Sequence, residues 1–148
     1  MVADVLAKEL NLKFHTNKKY NVVFAKTELM ELIKPQTFMN NSGVAVRMIA
    51  KKHRIPSQHI LIVIDDLDME PGKLRYRSEG SSGGHQGLQS IIDQLGTLEI
   101  PRLKIGIGRS ENIEPDKYVL GKFTVDQLKY IKTAIPEAVA LIKNQFLV

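Results

Sequence analysis

Three carboxylates follow one apolar run within four residues of the sequence. Asp65, Asp66 and Asp68 come directly after Ile-Leu-Ile-Val-Ile at residues 60–64. Carboxylates in such a cluster can orient a histidine or bind a metal ion, because they are charged at neutral pH. The same residues would also suit a solvated turn that leads into Pro71. The spacing alone leaves both interpretations open.

A glycine-rich loop precedes a predicted helix. Residues 80–87 read Gly-Ser-Ser-Gly-Gly-His-Gln-Gly, and the backbone N–H groups of such a loop can bind an anion. The loop lacks the Gly-Lys-Ser/Thr ending of a nucleotide triphosphate site. A flexible connector is the structural alternative, with His85 as a capping or packing residue.

The segment from Pro35 to Gly43 offers an aromatic ring, a hydroxyl and side-chain amides ahead of another predicted helix. Phe38 supplies the ring and Asn40 a side-chain amide. The same residue types also form a turn and a helix cap. Taken alone, the segment favours the structural interpretation.

Basic residues alternate along one predicted strand. Lys73, Arg75 and Arg77 are two residues apart, so their side chains fall on one face of that strand. Arg102 and Lys104 lie in a second basic stretch. Such a row would bind an RNA backbone or a terminal phosphate, and a solvated surface is the alternative. The net charge of +5 permits RNA binding without establishing it.

Strands and helices alternate along the chain to position these residues. Helices are predicted over residues 1–10, 42–54, 85–95 and 125–148, the last interrupted near Pro136. Strands are predicted over residues 21–26, 29–33, 60–64, 73–77 and 103–107. The run at 60–64 suits a strand buried on both faces, which indicates a three-layer α/β domain with a central mixed, twisted sheet flanked by helices. We expect residues 1–148 to form one domain, with the site at the carboxyl end of the strand that precedes Asp65.

Composition excludes several classes of protein. The chain has no cysteine, so a disulfide framework and cysteine-ligated metals are excluded. No apolar run approaches the roughly 18 residues that cross a bilayer, and the first residues lack a secretory cleavage pattern. His15, His53 and His59 have no ligand-like spacing, and we expect them at the surface. We therefore expect no metal site and no membrane association.

Taken together, these segments resemble the bacterial and mitochondrial peptidyl-tRNA hydrolase family. The matching stretches, in order, are residues 35–43, 65–72, 83–88, 102–108 and 118–122. The resemblance implies hydrolysis of the ester that joins a peptide to the 3′ end of tRNA, with a histidine as general base and a carboxylate as its partner. It also implies a monomer that needs no cofactor and acts in the bacterial cytoplasm or in mitochondria.

The resemblance implies a role for each candidate residue. Asp65 resembles the carboxylate partner of the catalytic histidine, and Phe38 and Asn40 resemble substrate contacts. The resemblance also makes Asn40 a catalytic residue, because side-chain amides steady the developing oxyanion in this family. His85 and Gln86 occupy the positions of a His-Asn pair beside the cleft, with glutamine in place of the usual asparagine. The positions that resemble tRNA phosphate contacts are Arg75, Arg77 and Arg102.

The start of the sequence departs from the family pattern. The family normally opens with a strand, a Gly-Asn-Pro-Gly-type loop and an Arg-His-Asn segment that carries the general base, and residues 1–10 resemble the helix that follows. We therefore expect this chain to lack the first strand and the catalytic histidine, and its own hydrolysis to be slow. A non-catalytic RNA-binding relative, like the organellar splicing factors of this family, is the second hypothesis.

Overall fold

The computed structural model describes residues 1–38, 41–109 and 125–147. Its helices are α1 (Val2–Glu9), α2 (Ser42–His53), α3 (Gln86–Leu95) and α4 (Val125–Phe146), with a 3-10 turn at Ser57–His59. Its strands are β1 (His15–Asn17), β2 (Val22–Lys26), β3 (Glu31–Pro35), β4 (Ile62–Asp66), β5 (Leu74–Arg77) and β6 (Arg102–Gly106). No helix within these residues is long and apolar enough to cross a membrane.

The strands form two three-stranded sheets. In the first, β2 lies between β1 and β3, and both pairings are antiparallel. In the second, β6 lies between β4 and β5, parallel to β4 and antiparallel to β5. The second sheet is therefore mixed, as predicted, and the separate antiparallel sheet is the feature that the sequence did not indicate.

Helices cover both faces of the mixed sheet. Leu103 and Ile105 on one face of β6 pack against residues of α1 and α4. Ile64 on the other face packs with Leu88 and Ile91 of α3. Because side chains alternate along a strand, β6 presents apolar residues to one layer and Arg102 and Lys104 to the other. The predicted α/β architecture, a mixed sheet flanked by helices, is confirmed.

Local sequence sets the limits of α3. Leu88, Ile91 and Ile92 recur at helical spacing and are buried. The helix begins after His85, whose side chain accepts a hydrogen bond from the backbone of Leu88. It ends at Gly96, which has a φ of 69° in the left-handed region that favours glycine.

Helices α2 and α3 cross at very close range where α2 begins. The backbone N–H of Gly43 donates to Ser90 Oγ at 2.9 Å. A Cβ atom on Gly43 would lie 2.1 Å from the carbonyl oxygen of Ser90, so only glycine fits there. This crossing holds the start of α2 against the middle of α3.

Three predicted elements differ from the observed ones. Strand β3, predicted at residues 29–33, is observed at Glu31–Pro35. Strand β4 begins and ends two residues later than predicted, so Asp65 lies within the strand rather than after it. Val63 is 38% exposed, which means that this strand is not buried on both faces. Pro136 lies inside α4 without interrupting it. Since Pro136 is exposed, water can hydrogen-bond the backbone carbonyl that a proline leaves unpaired.

Candidate active site

Asp65 and His85 form a hydrogen-bonded pair between β4 and α3. His85 Nε2 lies 3.1 Å from Asp65 Oδ1, and His85 Nδ1 accepts the backbone N–H of Leu88 at 3.2 Å. Because Nδ1 accepts a hydrogen bond, the proton of the neutral ring lies on Nε2, which donates to the carboxylate. The two side chains are 15% and 27% exposed, so the pair is partly shielded from solvent.

The pKa of Asp65 reflects two opposing effects. Burial raises the pKa of the carboxyl, but the hydrogen bond from His85, the electrostatic interaction with that ring and a backbone hydrogen bond together outweigh burial. The net result is a pKa below the ordinary value of 3.8. Asp65 is therefore a carboxylate at neutral pH, as a partner for a positively charged group must be.

The carboxylates that follow Asp65 have partners of their own. Asp66 Oδ2 lies 3.2 Å from Lys104 Nζ, and both side chains are largely buried. Asp68 accepts from Arg109 Nε at 2.6 Å on the surface, which lowers the pKa of Asp68. The cluster thus forms separate ion pairs. Within residues 1–38, 41–109 and 128–147, no group of three His, Asp or Glu side chains could hold a metal ion.

Arg75 and Arg77 lie exposed on β5, at the edge of the mixed sheet. Arg75 is opposite Lys104 on β6 and Arg77 is opposite Arg102. Residues directly opposite in an antiparallel pair project from the same face, so these four cations share one face. Lys104 had no role in the sequence analysis beyond its place in the second basic stretch. Its ion pair with Asp66 links this cationic face to the end of β4 that carries Asp65.

Arg102 does not lie at the surface with its neighbours. The side chain is 1% exposed, and burial lowers the pKa of its guanidinium. Its N–H groups donate to the backbone carbonyl oxygens of Ile100 at 2.8 Å, Gly80 at 2.7 Å, Ser81 at 2.9 Å and Leu98 at 3.3 Å. The structure therefore corrects the prediction that Arg102 contacts a tRNA phosphate: the side chain is buried, and four of its five N–H groups donate to backbone carbonyls.

Gln86 opens α3 beside a shallow depression of about 360 Å³. The depression is lined by Ser82, Gly84, Gln86, Gln89, Ser90 and Asp93. Gln89 is held on its rim by a 2.8 Å hydrogen bond to Asp93 Oδ1. Because Gln86 directly follows His85, the Asp65–His85 pair and this depression are neighbours at the start of α3.

Phe38 is 85% exposed in the segment that leads into α2. Its carbonyl oxygen accepts the N–H of Asn41 at 2.9 Å, which forms the turn before the helix. Asn40 and the stretch 118–122 lie outside the described residues. Among the predicted site residues, the structure joins Asp65 to His85, which directly precedes Gln86. It leaves Phe38 exposed ahead of α2 and buries Arg102.

The remaining histidines are exposed, as predicted. The ring of His15 lies 6.0 Å from that of Phe24. His53 Nε2 lies 3.2 Å from Glu31 Oε2, and His59 ends the 3-10 turn. Thus His85 is the histidine of this sequence that contacts Asp65.

Comparisons with known proteins identify the family of this chain. The family model described as peptidyl-tRNA hydrolase matches residues 1–147. Peptidyl-tRNA hydrolase from Bacillus subtilis is 40% identical over 143 residues, which cover 94% of this chain and 76% of that protein. The enzyme of the same name from Moorella thermoacetica is 44% identical over 144 residues, 93% of this chain and 75% of that protein.

Solved structures give the same result. A mutant of peptidyl-tRNA hydrolase from Acinetobacter baumannii superposes with a TM-score of 0.90 at 32% identity, covering 96% of this chain and 74% of the other. A crystal structure of the peptidyl-tRNA hydrolase from that organism gives a TM-score of 0.88 at 30% identity, with the same coverage. From the family model that matches residues 1–147 and from these relatives, this chain belongs to the peptidyl-tRNA hydrolase family.

Proposed function

We propose that this chain binds peptidyl-tRNA and is part of the machinery that hydrolyses the ester between the peptide and the 3′ end of tRNA. The observation that carries the proposal is the Asp65 carboxylate, held in its charged form at the end of β4 beside the start of α3. A carboxylate has two oxygens that accept hydrogen bonds, so Asp65 can hold His85 and also orient and stabilise a catalytic imidazolium.

His85 itself is not the general base of this proposal. A base needs a nitrogen with a free lone pair facing the water that attacks the ester. Here Nε2 faces Asp65 and the lone pair of Nδ1 accepts the N–H of Leu88. We assign His85 the role of holding Asp65, and we assign the base to a histidine of the Arg-His-Asn type, which none of the four histidines in this sequence matches.

The substrate is recognised through its phosphates and its acylated end. Arg75 and Arg77 provide exposed cations on the sheet edge for phosphate oxygens. Phe38 and Asn40 provide an aromatic face and an amide for the peptide or the terminal nucleotide. The reaction so arranged uses no metal or organic cofactor, and we expect the protein to act as a monomer in the bacterial cytoplasm or in mitochondria.

Hydrolysis of a peptidyl-tRNA tests this proposal. The chain would be compared with a form in which a strand, loop and Arg-His-Asn segment precede Met1, and released peptide would be measured. We expect the 148-residue chain to be at least about a hundredfold slower than the longer form, since a well-placed general base contributes about 10²–10⁴ in rate. Equal rates in the two forms would contradict our assignment of the base.

Asp65→Asn in the longer form separates catalysis from binding. This change keeps the size of the side chain but removes the charge that stabilises an imidazolium. We expect slower turnover with tRNA affinity largely unchanged, and full activity would exclude Asp65 from the reaction. A longer form that binds tRNA but releases no peptide would instead favour a non-catalytic RNA-binding protein.

A further inference from the structure

A cationic surface lies where the β1–β2 turn meets α2. Tyr20 packs against the buried cluster that contains Ala45 and Ile49. Lys19 Nζ lies 5.6 Å from the centroid of the Tyr20 ring, and Lys52 Nζ lies 5.2 Å from it. Cations from two separate elements therefore converge on one aromatic ring. With their exposed neighbours, these residues form what we call the Tyr20 patch: Lys18, Lys19, Tyr20, Lys51 and Lys52.

The lysines of the Tyr20 patch carry no compensating charge. In the part of the chain that the structure describes, none of them forms an ion pair with a carboxylate, and all four are exposed. The dipole of α2 accounts for Lys51 and Lys52 in its last turn. It does not account for Lys18 and Lys19, which lie in the β1–β2 turn. The concentration of positive charge favours an anionic partner.

The backbone beside the Tyr20 patch is also unusual. Arg54 ends α2 with φ 54° and ψ 43°, a left-handed conformation that glycine normally occupies. A side chain with a Cβ is strained there, and strained positions cluster at functional surfaces. The chain thus adds another exposed cation at the end of α2 where a glycine would be more stable.

The Tyr20 patch is joined to the candidate active site by the backbone. The carbonyl oxygen of Asn21, next to Tyr20, accepts the N–H of Gln36 at 2.9 Å. Val22 is paired with Pro35 in the β2–β3 register. Gln36 lies two residues before Phe38 in the segment that leads into α2. A polyanion whose end lies beside Phe38 can therefore continue over the patch.

We propose that the Tyr20 patch binds the phosphate backbone of tRNA beyond its acceptor end. Lysines around an aromatic ring suit nucleic acid, because ammonium groups bind phosphates while the ring offers a surface for sugars and bases. The proposal rests on the proposed function, since it takes tRNA as the ligand. In this proposal the Tyr20 patch contributes affinity for the body of the tRNA, whereas Asp65 contributes to hydrolysis of the ester.

Binding of deacylated tRNA to the full chain tests the patch without any hydrolysis. The Lys19→Gln/Lys52→Gln variant would be compared with the unmodified chain, using full-length tRNA and a short hairpin that contains only the acceptor end. For full-length tRNA we expect affinity to fall about threefold to tenfold and the salt slope to decrease by about 1–2. For the hairpin we expect unchanged affinity.

Lys129→Gln/Lys132→Gln on α4 is the matched control, because it removes the same charge from exposed positions on another element. Unchanged affinity of the patch variant for full-length tRNA would overturn the proposal. So would an equal loss with the hairpin, or an equal loss in the control. An unmodified chain that binds neither RNA would instead contradict the proposed function itself, so the two failures are distinguishable.

Discussion

The imidazole of His85 links Asp65 on β4 to the first turn of α3, donating at 3.1 Å to the carboxylate and accepting at 3.2 Å from the backbone N–H of Leu88. One side chain thus serves as a helix cap and as the partner of a charged group. Loss of the ring removes both functions, and each has a measurable consequence.

His85→Ala is expected to destabilise the fold by about 1–2 kcal/mol, the usual cost of losing a helix cap together with a hydrogen bond to a charged group. Urea unfolding of the variant and the unmodified chain measures the difference. Gln89→Ala, at an exposed position on the same helix, is the control and should change stability by less than about 0.5 kcal/mol. Equal effects of the two changes would contradict the capping role.

The stability of the protein should depend on pH through Asp65. Its pKa in the folded state is below the ordinary value of 3.8, so its contribution to stability is fully present above that value. The contribution is lost as pH falls through the lower, folded pKa. Urea unfolding midpoints between about pH 2 and pH 5 should fall less steeply in Asp65→Asn than in the unmodified chain. Parallel curves would show that the carboxyl has the same pKa when folded and unfolded.

Arg75→Ala/Arg77→Ala is expected to weaken tRNA binding and to reduce its salt dependence. Each phosphate contact that is lost lowers the slope of log affinity against log salt by about 1. Binding of deacylated tRNA at several salt concentrations measures this slope, with Lys129→Gln/Lys132→Gln as the charge-matched control. An unchanged slope would remove the β5 edge from the interface.

Arg102→Met is expected to lower the free energy of unfolding by about 3–5 kcal/mol, although methionine is apolar and similar in length to arginine. The change leaves the surrounding backbone carbonyls buried without their donors. Arg77→Met is the matched control, since Arg77 is directly opposite on β5 but exposed. A similar, small effect at both positions would contradict the structural role of Arg102.

Gly43→Ala is expected to destabilise the fold by at least about 2 kcal/mol, because the added methyl group collides with the backbone of α3. Chemical denaturation measures the loss. Val44→Ala, at the next and more exposed position of α2, should change stability by less than about 1 kcal/mol. Retention of full stability in Gly43→Ala would show that α2 can move away from α3 at low cost.

Much of the fold follows from local pattern in the sequence. Helices α1, α2 and α3 begin and end within about two residues of their predicted limits, because apolar periodicity and terminal residues set both. Strand β1 was not predicted, since three residues carry too little alternation to identify. Strand β4 begins two residues later than predicted. Its apolar run starts at residue 60, but its pairing with β6 starts at Ile62.

The candidate site was predictable only in part. Spacing correctly indicated that Arg75 and Arg77 share one face of a strand, since alternation decides that. That Arg102 projects from the same face follows from the β5–β6 register, which the sequence did not give. Spacing could not indicate that the loop around Gly80 buries Arg102 and leaves Arg75 and Arg77 exposed, because that burial depends on tertiary packing. The contact between Asp65 and His85, which are 20 residues apart in sequence, is likewise set by the way α3 packs on the sheet.

The guanidinium of Arg102 has a consequence for local motion. It binds carbonyls of the glycine loop and of the turn before β6 at once, and the N–H of Gly80 also donates to Leu98 at 3.1 Å. Neither segment can separate from the sheet without breaking hydrogen bonds to the same cation. The two segments should therefore open as one cooperative unit, with slow amide hydrogen exchange at Gly80 despite its glycine-rich surroundings.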